Sequence, residues 1–132
     1  MPSRSRARAR YAALAIVTIV LGLAVHLRGD TLPPSARDVL GDALWAAMVM
    51  WLIGVLAPSR SLWWRASAAA AVCVAVEFSQ LLHQPALDAI RRTPVGHLVL
   101  GNSFDPRDLG AYGAGVLAAT LVAWKTSATD VR

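Results

Sequence analysis

The sequence predicts an all-α protein: an integral membrane bundle of four transmembrane helices, with a long, partly ordered loop between the third and the fourth. Three observations point there. Hydrophobic residues make up 56% of the 132 residues and charged ones only 16%, with a mean hydropathy of +0.49, too apolar for a soluble domain of this size. Four apolar runs, at 11–27, 39–57, 62–82 and 109–124, approach the length of about 20 residues that a helix needs to cross a bilayer. The arginines flank these runs instead of forming a stripe with interleaved aromatics. The net charge of +5 and the pI near 10.7 therefore fit membrane flanks and do not point to nucleic acid.

Residues 1–10, with Arg4, Arg6, Arg8 and Arg10, form a basic tail ahead of the first run. Tail and run together resemble a signal peptide, but Val25-His26-Leu27-Arg28 offers no small-x-small cleavage site, so an uncleaved anchor is expected. The links at 28–38 and 58–61 are short, which favours antiparallel neighbours. In the third run Ser67, Ala71 and Ala75 repeat at i+4, and in the fourth Ala111, Gly115 and Ala119 do so, as expected of faces where helices approach closely. Cys73, the only cysteine, allows no intrachain disulfide and reads as a packing residue, while Trp45, Trp51, Trp63 and Trp64 read as packing or interfacial residues.

The stretch from Gln84 to Arg107 contains Pro85, Pro94 and Pro106, two glycines and the apolar segment Val95 to Leu100, so it predicts neither a helix nor a simple tether. It is expected to fold back against the bundle. Residues 11–124 then form one domain between the 1–10 tail and a second tail at 125–132. With the N-terminus inside, Arg4, Arg6, Arg8, Arg10, Arg60, Arg65, Lys125 and Arg132 lie on the inner side, against Arg28, Arg37, Arg91, Arg92 and Arg107 outside. This bias predicts a multi-pass protein of the inner, cytoplasmic membrane with both termini cytoplasmic and the long loop facing outward.

Glu77, near the end of the third run, needs a partner if it is to sit at that depth. Helical spacing puts Glu77, Gln80 and Gln84 on one line, Asp38, Asp42 and Trp45 on a second, and Asp105, Asp108 and Tyr112 on a third. All three reach the same membrane face. Asp105 and Pro106 suit the opening of the last helix. Candidate counter-charges are Arg28, Arg91, Arg92 and Arg107, and an arginine fork can hold two carboxylates. Arg92 is the expected partner of Glu77, with Asp42 or Asp108 as further acceptors. The plainer alternative is a set of structural ion pairs that ties the loop to the bundle.

Glu77-x-x-Gln80, Arg92, Asp105-x-x-Asp108 and Gly115 together resemble the VanZ-like membrane proteins. The chain is more similar still to a bacterial group of small four-helix membrane proteins built on a domain of unknown function. The residues that carry this likeness are Gly41, Asp42 and Trp45; Glu77 and Gln80; Arg92 and Gly96; Leu100, Gly101, Phe104, Asp105, Asp108 and Leu109; then Tyr112 and Gly115. The likeness covers about Leu14 to Ala123. Tyr112 stands where the VanZ-like helix usually has Asn, and the loop from arginine to aspartate is longer here. Since VanZ is associated with resistance to a lipoglycopeptide antibiotic, the resemblance implies work at the cell envelope without specifying a reaction.

Glu77, Gln80, Arg92, Asp42, Asp105, Asp108 and Tyr112 thus form the expected polar site. Paired carboxylates could serve as acid and base, but Ser79 and Ser103 lack a fixed histidine, and His26, His83 and His97 form no His-x-x-x-His or Glu-x-x-His pair. No metal and no cofactor is expected, and Gly110 to Gly115, inside an apolar run, is not a phosphate loop. The expected partners are the lipid bilayer and a lipid or envelope-precursor ligand. Three classes remain open: a protein that binds or modifies an amphipathic envelope molecule, a structural protein whose cluster is a clamp, and a subunit of an oligomeric transporter.

Overall fold

The structure, a computed structural model, describes residues 3–129. Its elements are α1 (Arg4–Arg28), a 3₁₀ turn (Gly29–Thr31), α2 (Pro34–Leu56), α3 (Leu62–Ser79), α4 (Pro85–Arg91), α5 (Pro94–Leu100) and α6 (Pro106–Thr129), with no strand among the described residues. Arg132, counted above toward the inner charge, lies outside these residues, as does the end of the 125–132 tail.

Four of these helices begin with proline, where the missing N–H is one that no helical carbonyl would have accepted and the fixed φ suits a first turn. This corrects the reading of the 84–107 stretch. Pro85 and Pro94 open α4 and α5, so the loop is two short helices that fold back, with α5 reaching α3. Pro85 also ends what comes before it: Gln84 is extended, at φ −112° and ψ 139°, as a residue preceding proline tends to be. Helix α3 accordingly stops at Ser79, short of Leu82, and Gln84 does not continue the Glu77 line. Thr93 caps α5, its hydroxyl accepting from Gly96 N at 3.0 Å.

Helix α2 is the centre, packed against α1, α3 and α6, and its Ala46, Met50 and Trp51 are almost wholly buried. Close approach is set by glycine at two places. A Cβ on Gly115 of α6 would lie 2.1 Å from the Ala43 carbonyl oxygen of α2, and one on Gly54 would strike the Tyr11 ring at 2.7 Å. That ring stacks on Trp51, with centroids 6.2 Å apart, and the Trp51 indole donates to Thr18 Oγ1 at 3.1 Å. The Arg65 guanidinium lies 4.6 Å from the Tyr11 centroid. The Ala111, Gly115, Ala119 face of α6 is buried as expected. In α3 the expected face is the wrong one: Ser67, Ala71 and Ala75 are exposed, and Ala66, Ala69, Cys73 and Glu77 are buried. The buried line is the one that carries the carboxylate.

Two helical stretches, Arg4–Thr31 and Pro34–Leu56, are long and apolar enough to cross a membrane, and only 17% and 28% of their most apolar windows are buried within the protein. Helices α3 and α6 fall short of that measure, so the structure gives two candidate spans where the sequence predicted four. The apolar faces point outward: Ile16, Val17, Val20 and Leu21 of α1 and Leu117, Leu121 and Val122 of α6 are exposed.

Replacing Gly115 by alanine should lower stability by about 1–3 kcal/mol, the range for overpacking against atoms that cannot yield. Gly113→Ala adds a Cβ that meets nothing within 4 Å. Thermal unfolding of the two variants in detergent should show a lowered midpoint for the first alone.

Candidate functional site

The buried line of α3 brings Glu77 to the end of the bundle where α2 and α6 begin. Glu77 is 0% exposed, yet both its carboxyl oxygens are engaged. Oε1 accepts from the Asp105 backbone N at 2.8 Å, and Oε2 from the Tyr112 hydroxyl at 3.1 Å. Asp105 is placed for this by its position just ahead of α6. Its side chain accepts from Arg107 N at 2.9 Å, as at a helix start, which leaves its own N–H free to point at Glu77. The Tyr112 ring in turn lies against Trp45 of α2, with centroids 5.5 Å apart.

The expected Glu77–Arg92 contact is not formed. Arg92 is exposed at the end of α4, and among the described residues no ion pair joins it to a carboxylate. Arg91 is the buried arginine of the pair, at 3% exposure, and its partners are not Glu77, Asp42 or Asp108. Its Nη1 donates to the Leu82 carbonyl at 2.9 Å and to Asp88 Oδ1 at 3.2 Å, and its Nη2 to the Ser79 carbonyl. A cation thus sits on carbonyls at the C-terminal end of α3, where the helix dipole favours it. Arg91, the neighbour of the arginine expected to meet Glu77, thereby fastens α4 to α3.

The remaining predicted residues converge. Asp42 of α2 and Asp108 of α6 lie within hydrogen-bonding reach of each other, with Glu77 nearby and Asp38 further out. Two carboxyls that close share a proton more readily than they bear two charges. Asp108 precedes the apolar stretch 109–124, and burial, followed by the nearby charge of Glu77, raises its carboxyl above the ordinary carboxylate range. Gln80 is buried at 4% exposure, and its Nε2 donates to the Leu100 carbonyl at 2.9 Å. Gly101 makes room for that amide. It has φ +64°, which suits glycine, and a Cβ there would lie 2.5 Å from Gln80 Nε2.

These groups line a cleft of about 790 Å³. Its lining combines Ile19 and Leu23 of α1 and Val95, Leu98 and Val99 of α5 with Asp38, Asp42, Asp105 and Asp108 and with Trp45 and Tyr112. His26 and His97 also line it. The apolar stretch Val95 to Leu100 was expected to fold back against the bundle; that it does so as a helix, α5, was not legible, because the prolines had seemed to forbid one. Among the described residues no three His, Cys, Asp or Glu side chains are arranged to hold a metal ion.

The fold and the cleft define an all-α protein with two helices fit to cross a membrane and, at one end of the bundle, a cleft lined by acidic and apolar residues. The chain belongs to the family described as Protein of unknown function (DUF2809), whose model matches residues 31–116. No solved structure matches it.

Arg91→Met should speed amide hydrogen exchange across 85–100, because α4 and α5 lose their tie to the carbonyls that end α3. Arg92→Met should leave that exchange unchanged. Equal effects would mean that the two arginines share the work.

Proposed function

We propose that this is a multi-pass membrane protein that binds an amphipathic molecule of the cell envelope, the polar head at the aspartates of the cleft and the apolar part along α1 and α5. The observation that carries the reading is the composition of one cleft: four aspartates line it together with apolar residues of α1 and α5, and the α1 surface beside it is exposed and apolar. A volume of about 790 Å³ falls within the range of small-molecule sites. Burying such a surface in lipid or against a ligand tail removes its apolar area from water.

The proposal includes four spans, at 11–27, 39–57, 62–82 and 109–124, in a bacterial inner membrane, with both termini cytoplasmic, the cleft outward and kinship to the VanZ-like proteins. The excess of Lys and Arg beside the inner ends of the spans, eight against five, supports that orientation. Arg65 in α3 need not count against a span, because it is 7% exposed and its guanidinium lies against the Tyr11 ring. The alternative of a structural clamp is favoured by one set of observations: Glu77, Gln80 and Arg91 all spend their hydrogen bonds joining α3 to the segments that follow it.

Two measurements test this. A topology reporter fused at residue 95 should report the outer side and one at the C-terminus the cytoplasm; a cytoplasmic residue 95 overturns the placement of the cleft. Protein extracted in native membrane discs without detergent should carry, by mass spectrometry, an amphiphile enriched over bulk lipid. Enrichment should fall several-fold in Asp42→Asn/Asp108→Asn, whereas unaltered lipid content with lowered stability would favour the clamp.

A further inference from the structure

Gln80 holds one hydrogen-bonding atom in reserve. Its Nε2 donates to the Leu100 carbonyl, which fixes the amide so that Oε1 is the free end, and Oε1 has no hydrogen-bond partner although the residue is 4% exposed and lines the cleft. An unpaired buried acceptor is costly, and a ligand N–H or O–H is what would satisfy it. The Trp45 indole N–H, also on the cleft wall, is likewise unpartnered. The charged groups around them are mostly acidic. The cleft is lined by four aspartates and a single arginine, Arg37, which is already paired with Asp30 at 3.7 Å.

We propose, resting on the reading of the cleft as an amphiphile site, that the head group it takes bears a protonated primary amine, which displaces the proton shared by Asp42 and Asp108 and is bound by both carboxyl groups and by Gln80 Oε1. An ammonium has three N–H donors and no acceptor, which matches a wall of acceptors. The adjoining Trp45–Tyr112 pair offers aromatic surface, which favours a cation. An oxygen near the amine on the same head group would take the Trp45 N–H. A bare phosphate head is disfavoured, because it would bring like charge into a cleft lined by four aspartates. The Glu77 carboxyl takes no part, since both its oxygens are engaged within the protein.

Matched probes separate head from tail. The full chain in phosphatidylcholine nanodiscs is titrated calorimetrically at pH 7 with octylamine, octanol and octyl phosphate, and with tail-free ethylamine, with empty discs subtracted. Octylamine should bind about tenfold or more tightly than octanol, the scale of one charge-assisted hydrogen bond, and octyl phosphate most weakly. Gln80→Leu should erase most of that preference. Because this variant also loses the Leu100 bond, Asp42→Asn, which keeps the side chain's size, provides an independent second loss. Equal binding of the three octyl probes overturns the amine and leaves the amphiphile reading standing. Ethylamine binding as tightly as octylamine keeps the amine and overturns the amphiphile, making the ligand a small soluble amine. No binding by any probe overturns both.

Discussion

A carboxylate shut away from water can persist in this bundle because two donors from the last helix and its threshold reach it. Each oxygen of Glu77 takes one hydrogen bond, from the Asp105 amide and from the Tyr112 hydroxyl. Leaving either oxygen bare in a low-dielectric interior would cost far more than a typical hydrogen bond contributes. The requirement fixes the register of α3 against α6 and brings the start of α6 under the C-terminal end of α3. The chain between them must then cover about two dozen residues while both its ends stay close, which is why it doubles back as α4 and α5. The cleft is the space this return path leaves against α1 and α2.

The helix ends share the work of holding that path. Arg91 occupies the carbonyls at the end of α3, Thr93 closes the turn from α4 to α5, and Gln80 takes the carbonyl of Leu100 at the end of α5. Each bond joins a side chain to main-chain atoms that a helix end would otherwise leave unpaired. Close packing does the rest at the middle of the bundle, where Gly115 lets α6 lie directly on the α2 backbone. At the far end Arg65 and Tyr11 form a separate knot.

Much of this was legible in the residues. Apolar runs located the long helices, helical spacing grouped Asp42, Glu77, Gln80, Asp108 and Tyr112, and Asp105-Pro106 announced the start of α6. Arginine was misjudged for a specific reason: neighbouring Arg91 and Arg92 point in different directions, and which one turns inward depends on the phase of α4, a helix that begins at a proline read as a breaker. Residues such as Thr93-Pro94 carry the opposite signal, a cap followed by a first-turn residue. The α3 face was missed because small size marks where backbones can approach, and in an alanine-rich helix two faces qualify. Only the face bearing Glu77 and Cys73 found a partner.

The bond from Asp105 N to Glu77 has a consequence for how such a chain can change. A main-chain N–H is supplied by every residue except proline, so position 105 can exchange its side chain without withdrawing the donor, at the expense only of the helix cap. No reciprocal freedom exists at position 77, where the acceptor is a side chain. Glu77 and residue 105 therefore cannot drift together as a matched pair: a loss at 77 has no compensating replacement at 105. The constraint from this bond falls on position 77, with only proline barred at 105, so correlated substitutions would reveal the Tyr112 contact of Glu77 and pass over this one.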